Sequence, residues 1–471
     1  MVQELAPDNV VGARAPEGIW AGPNRWLTIG LVLTVVGAAF EALAVATTLP
    51  ATVRDLGGLA LYGWAFSAFM LTNLIGITVA GDEADRHGPA RPYAVGVALF
   101  ALGLLVAGLA PNMVVVILGR AVQGFGAGVI SAVAYVAIGR GYAESERPRM
   151  LAVMSSAWVV PGLVGPALAG LVVDHAGWRW VFLGLVPLPI VAAALALPAL
   201  RSLARSAEAP RDWSNMRAAV RLAAGAALGL AGLGVPSPLA AGALLVAGAA
   251  LGLPALTRLL PAGTLRAAPG LPATIAASGL LNLAFFGADA FVPLALTAGR
   301  GQTATVAGLA LTAATITWTT GSWVQAHLAT RPIRRGVVIA GLALLAAGIA
   351  GVIVVLSPAV PIVFAPIAWG LGGLGMGLAY STISLVVLES APAGREGAAA
   401  AAMQLANVLA TAIGTGVGGA IVAYTSAGGT ASPLGIAIQD LLMIGVVVLG
   451  ILAATRLPSR RGSAPAPDTA A

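Results

Sequence analysis

The chain has 471 residues, of which 59% are hydrophobic and only 9% charged, with a mean hydropathy of +0.93. A water-soluble fold cannot hide that much apolar surface, so the composition describes a protein that crosses a membrane many times. There is no cysteine and there are three dispersed histidines, which excludes disulfides and a cysteine nucleophile and leaves no convincing metal cluster.

The N-terminal segment, residues 1–25, is polar and does not resemble a signal peptide. A helix crossing about 30 Å of hydrocarbon needs about 20 apolar residues. Runs of that kind predict six helices near 26–49, 59–80, 91–110, 113–138, 150–173 and 178–199. After a linker over 200–217 come two shorter Ala/Gly/Leu-rich runs, 218–235 and 238–257, joined by "VPSP". A second linker, 258–270, leads to six more helices near 271–298, 303–328, 336–356, 360–388, 397–424 and 434–456. The tail, 457–471, has the composition of a disordered segment. The expected architecture is an all-α polytopic membrane protein: six-helix bundles over 26–199 and 271–456, an extra central pair over 218–257, and about 14 spans.

Every basic residue other than histidine is an arginine, 25 in all. With an even number of spans, only Arg54, Arg179 and Arg300 fall on one side and Arg120 falls inside the membrane. The rest lie on the side of the termini. The positive-inside rule therefore predicts cytoplasmic N- and C-termini. The same asymmetry explains the net charge of +7 without nucleic acid. The Ala, Gly and Arg usage suggests a GC-rich bacterial genome, hence a bacterial cell (inner) membrane.

Residues 81–91 read "GDEADRHGPAR". Gly81 and Gly88 permit tight turns, and Asp85 and Arg86 place opposite charges where helices emerge. The bland reading is a charged loop that sets topology. The spacing of Gly81, Asp85, Arg86, Gly88 and Arg91, however, resembles the signature loop of the major facilitator superfamily. The resemblance implies two six-helix bundles and a loop that braces the inner gate, with its aspartate near a helix N-terminus. In the fourth helix, "LGRAVQGFGAG" (118–128) resembles the family motif with a membrane-embedded arginine, here Arg120. A guanidinium there must find a partner or snorkel outward. In the fifth helix, "VVPGLVGPALAG" (159–170) resembles the antiporter motif of drug exporters. Gly162, Gly165, Pro166 and Gly170 match it, while Pro161 and Ala169 stand where glycines are expected. Close packing of small residues is the simpler explanation of that segment alone. The added helix pair resembles the fourteen-helix drug:proton antiporter branch. The segment 321–335 aligns with the signature loop but carries Gln325 in place of the acid.

Two acids stand alone in apolar helices. Glu41 lies in the first helix of the first half and Asp289 in the first helix of the second, each followed by a proline, Pro50 and Pro293. A charge at mid-membrane costs about 2.5–3.5 kcal/mol on insertion scales. Such residues face protein or a water-filled cavity, as polar anchors between helices or as groups that exchange protons. Counted from the predicted helix starts, Glu41 sits about 22 Å and Asp289 about 27 Å along its helix. That ordering places Asp289 nearer the outer mouth. Asp440 and Glu389 lie nearer helix ends and read as structural. Candidates for an apolar, aromatic cavity wall are Trp64, Phe66, Phe69, Trp158, Phe285, Phe286, Trp318 and Trp369, with Asn73, Asn282, Gln404 and Asn407 as polar additions.

The resemblance implies a proton-coupled exporter of hydrophobic, including cationic, drugs or amphiphiles, working as a monomer by alternating access. Glu41, Asp289 and Arg120 would handle protons, and the gradient would supply energy without a cofactor. Antibiotic resistance is the expected phenotype. The alternatives are a transporter of one metabolite, lipid or siderophore, and a membrane-embedded enzyme. Against the enzyme, no nucleophile–base pair or nucleotide loop is visible, and the glycines of "GFGAG" lie within a helix and read as packing.

Overall fold

A computed structural model of the chain describes residues 18–22, 24–203, 213–328, 333–426 and 430–458. Most of the predicted N-terminal segment, the middle of the first linker and nearly all of the tail lie outside these residues. The described residues are almost entirely helical. The first half comprises α1 (Asn24–Leu56), α2 (Tyr62–His87), α3 (Ala90–Gly108), α4 (Met113–Gly141), α5 (Arg147–Ser156), α6 (Val159–Ala176), α7 (Arg179–Leu183) and α8 (Pro187–Ser202). The added pair is α9 (Trp213–Leu233) and α10 (Pro238–Leu259). The second half comprises α11 (Leu271–Asp289), α12 (Val292–Leu294), a π-turn over Ala295–Gly299, α13 (Ala304–Leu328), α14 (Arg334–Val355), α15 (Phe364–Ser390), α16 (Glu396–Thr425) and α17 (Pro433–Ala454).

Thirteen of these helices, taken with their continuations, are long and apolar enough to cross a membrane. The fourteenth expected span, α13, is 25 residues long but carries six threonines. Five of their hydroxyls are hydrogen-bonded, Thr305 to Asp174 among them, while that of Thr312 is buried without a partner among the described residues. Thr315, Thr317, Thr319 and Thr320 each donate to the carbonyl four residues back, at 3.0–3.1 Å, which lets a less apolar helix sit among the others.

Three predicted spans are broken, and proline explains each break. A proline has no amide for the carbonyl four residues earlier. Pro161 therefore leaves the Ala157 carbonyl without its helical partner, and the chain divides there into α5 and α6. Pro187 and Pro189 stand at the break between α7 and α8, where Leu183 O and Leu185 O accept instead from Val186 N and Leu188 N at 3.2 Å, and Pro293 withholds the helical partner of the Asp289 carbonyl, where α11 ends.

Glycines set how closely helices cross. A Cβ on Gly124 or Gly128 of α4 would lie 2.2 Å from the carbonyl oxygen of Phe69 or Asn73 on α2. The glycines of "GFGAG" thus work as packing. The added pair does not lie between the bundles. Instead α9 covers the seam where α2 meets α16: Leu222 and Ala223 pack with Leu71, Leu74, Val408 and Leu409. Little of α10 is buried in the protein, and it packs chiefly on α9.

The two halves meet along α6–α13 and α2–α16. The Tyr62 hydroxyl donates to Ala290 O at 2.7 Å, and Ser67 Oγ donates to Ala412 O at 2.7 Å. Both bonds lie toward the end opposite the arginine-rich segments, here called the far end. Toward the arginine-rich end, Ser131, Tyr135 and Gly139 form an uncovered face of α4, with Tyr135 68% exposed.

Candidate functional site

Glu41 is not a lone acid. It lies on α1 with no exposed surface, and its Oε1 accepts from Arg120 Nη1 of α4. Arg120, 2% exposed, also donates from Nη1 to Gln123 Oε1 at 2.8 Å and from Nε to Ala65 O at 3.1 Å. Its guanidinium sits 4.2 Å from the centroid of Phe69. Snorkelling is thereby ruled out, because the side chain spends its donors inside the protein. Glu41 Oε2 has no hydrogen-bond partner among the described residues. An ion pair so deeply buried is held by geometry at a large desolvation cost. One free carboxylate oxygen also leaves the pair a place to accept a proton.

Asp289 ends α11, where Pro293 breaks the helix. It accepts from Trp369 Nε1 of α15 at 2.8 Å. Trp369 is buried and stacks on Phe285, with centroids 5.2 Å apart and planes at 20°. Phe285 meets Phe286 and Trp318 edge-on, and Trp318 meets Tyr380 at 6.1 Å. The predicted aromatic residues of the second half therefore form one cluster, which Trp369 joins to Asp289. The two acids have separate partners in separate halves. The expected depth difference is nearly lost: Glu41 lies 17 residues from the start of α1 and Asp289 lies 18 from the start of α11.

The other cavity candidates scatter. Phe69 serves Arg120. Asn73 Nδ2 reaches Gly124 O at 3.4 Å, and Trp64 is half-buried. Asn407 Oδ1 accepts from Ser278 Oγ at 2.8 Å, and Asn282 donates to Ser278 O at 2.9 Å, a small polar cluster between α11 and α16. Trp158, 49% exposed, stands at the α5–α6 break, and Gln404 is exposed on α16.

The signature segment is not a loop. Helix α2 continues through Gly81, Asp85 and Arg86 to His87, because nothing before Pro89 interrupts it. The turn is made at Gly88 alone, whose φ of 78° favours glycine. Asp85 pairs with Arg140 at the end of α4 rather than with a helix N-terminus. In the second half, Arg334 pairs with Glu389 across α14 and α15, which fits the structural reading of Glu389, and Gln325 is buried in α13.

The antiporter-like segment packs α6 on α13, across the two halves. A Cβ on Gly170 would lie 2.4 Å from Ala304 O, and one on Gly162 would lie 2.3 Å from Thr315 Cγ2. Gly308 meets Pro166 O equally closely at 2.2 Å, whereas Gly165 touches Phe40 at ordinary distance. Pro161 is buried at the start of α6. One turn beyond Gly170, Asp174 accepts from Ala304 N at 3.0 Å, Thr305 N at 2.9 Å and Thr305 Oγ1 at 2.6 Å, capping α13 from the other half.

Sequence reasoning missed Asp174, Tyr62 and Tyr380, whose roles depend on partners far away in the chain. It also set Asp440 aside. That residue is 2% exposed on α17, and its Oδ2 has no hydrogen-bond partner among the described residues.

Residues 29–415 match the family model of the Major Facilitator Superfamily. The "Probable multidrug-efflux transporter Rv1634" of Mycobacterium tuberculosis (strain ATCC 25618 / H37Rv) is 27% identical over 93% of this chain and 96% of its own length. The "Multidrug transporter protein MdtP" of Bacillus subtilis (strain 168) is 31% identical over 35% of this chain and 31% of its own. Among solved structures, a mutant peptide transporter POT in complex with alafosfalin superposes with a TM-score of 0.67, at 15% identity, over 94% of this chain and 96% of that one. The chain belongs to the major facilitator superfamily and is a multi-pass membrane transporter.

Proposed function

We propose that the protein is a proton-coupled exporter of hydrophobic compounds, cationic ones included, working as a monomer by alternating access in a bacterial inner membrane with both termini cytoplasmic. The observation that carries the reading is the buried Glu41–Arg120 pair with one carboxylate oxygen unpartnered. The arginine asymmetry supports the orientation. The names of the multidrug-efflux relatives support the cargo class.

A proton arriving from outside binds Glu41 Oε2 and cancels the charge that holds Arg120. The guanidinium keeps Gln123 and Ala65 O, so it remains partly satisfied while the link between α1 and α4 weakens. Cargo sits against the Phe285, Trp318 and Trp369 cluster, where Asp289 offers the counter-charge to a cation. Return to the state open toward the cytoplasm releases the proton there, and Glu41 pairs with Arg120 again. A potential of 100 mV contributes about 2.3 kcal/mol per elementary charge moved, enough to bias rocking between two states. The far-end contacts between α6 and α13 and at Tyr62 and Asp174 are the ones that must part when the outer side opens.

The test is transport by purified protein in liposomes under an imposed pH gradient. Uptake into inside-out-oriented transporters should follow an inwardly acidic gradient and collapse with a proton ionophore. Transport indifferent to both would refute the coupling.

A further inference from the structure

A cavity of about 370 Å³ opens at the arginine-rich end, between the start of α3 and the end of α8. Its wall joins the turn at His87 and Gly88 to two kinds of surface. Arg91 and Arg201 are exposed and carry charge, while Ala94, Leu197, Leu200 and Leu203 form an apolar floor. The nearby acids are already engaged. Glu83 pairs with His87 at 2.9 Å, and Asp85 pairs with Arg140. Among the described residues neither Arg91 nor Arg201 has a side-chain partner, and no Asp or Glu lines the cavity. The first turn of α3, which contributes Ala90 and Arg91 to the wall, has no side-chain cap for its free amides. The corresponding far-end cavity is different, because there Asp55 neutralises Arg179 at 2.8 Å.

We propose that this cavity binds the phosphate headgroup of an anionic phospholipid, of the phosphatidylglycerol kind. The two guanidiniums take the phosphate oxygens, and the acyl chains run along Ala94 and Leu197 into the bilayer. A zwitterionic headgroup fits worse, since among the described residues its ammonium would meet two arginines in the lining, and the nearest carboxylate, that of Glu83, is held by His87. The bound lipid ties α8 to the turn at Gly88 and so braces the signature segment from the membrane side. The site goes beyond the transport proposal and depends on it only for the leaflet, which the cytoplasmic orientation makes the inner one.

The full chain, purified in detergent, is tested by native mass spectrometry and thermal melting. The ligands are phosphatidylglycerol, phosphatidylethanolamine with the same acyl chains, and glycerol 3-phosphate. Phosphatidylglycerol should be retained and should raise the melting temperature most. Affinity should fall about fivefold for each arginine removed, in Arg201→Gln and again in Arg91→Gln/Arg201→Gln. Arg395→Gln, at an exposed arginine on the same end, should leave binding intact. Arg201→Gln alone suffices if the double variant does not fold, and Arg201→Lys should restore part of the effect. Equal retention of both lipids, or undiminished retention in Arg201→Gln, would overturn the proposal. A shift from glycerol 3-phosphate as large as that from lipid would assign the site to a soluble phosphate ester and overturn the lipid assignment.

Discussion

Asp174→Ala should loosen the far-end closure without touching either buried acid. The wild-type carboxylate caps α13 from the opposite half, through two backbone amides and the Thr305 hydroxyl. Removing an N-cap side chain costs about 1 kcal/mol, within a range of roughly 0.5–2. Asp174 is exposed, so solvent screens the charge and the upper end of charged hydrogen-bond energies does not apply. A loss of about 0.5–2 kcal/mol raises the far-end-open population roughly 2- to 30-fold, with about fivefold the central expectation. The cysteine-free sequence makes the assay direct. Ala307→Cys places a thiol on a fully buried position of α13, and its maleimide labelling rate tracks the open fraction when opening is fast. Labelling should accelerate by that factor in Asp174→Ala. An unchanged rate, or equal acceleration at a buried cysteine on the arginine-rich side, would refute the idea that this cap holds the halves together.

Gly170→Leu should block far-end closure more severely, because its Cβ would meet the Ala304 carbonyl at 2.4 Å; loss of export with permanently fast Ala307→Cys labelling is expected. Asp85→Asn removes the charge that holds Arg140, so turnover should fall at least severalfold while cargo affinity, measured by equilibrium binding, stays within about twofold. Asp289→Asn should weaken export of a cationic compound by roughly tenfold and spare a neutral one of matched size, since it removes a counter-charge beside aromatic faces. Equal loss of both compounds would place Asp289 in the coupling machinery instead.

The helices were legible because a bilayer imposes one length and one composition on every span, so apolar runs alone locate them. The breaks were less so. Pro161, Pro187 and Pro293 were all visible, but whether a proline kinks a helix or divides it depends on what else satisfies the stranded carbonyl. The signature segment looked like a loop because of Gly81, yet a glycine in open space costs a helix only about 1 kcal/mol, and α2 runs through it. Arg120 was marked as needing a partner, and Glu41 as needing a reason to be buried. Nothing local joins residues 79 positions apart, so the pairing of the two emerged only from the packing of α1 on α4. Asp174 gave no signal for the same reason, its partners being 130 and 131 residues away. Asp440 read as structural because it lies near a helix end; α17 begins only seven residues earlier, yet the face that carries Gly435, Ile436, Gln439 and Asp440 is buried.

The central claim is that the Glu41–Arg120 pair couples proton movement to export. Its most direct test is proton flux recorded alongside cargo transport in liposomes containing purified wild-type protein or Glu41→Gln. The account predicts that wild type moves protons against cargo, and that Glu41→Gln inserts and folds, binds cargo, and moves neither protons nor cargo under a pH gradient. Gradient-driven export by Glu41→Gln at the wild-type rate would contradict it.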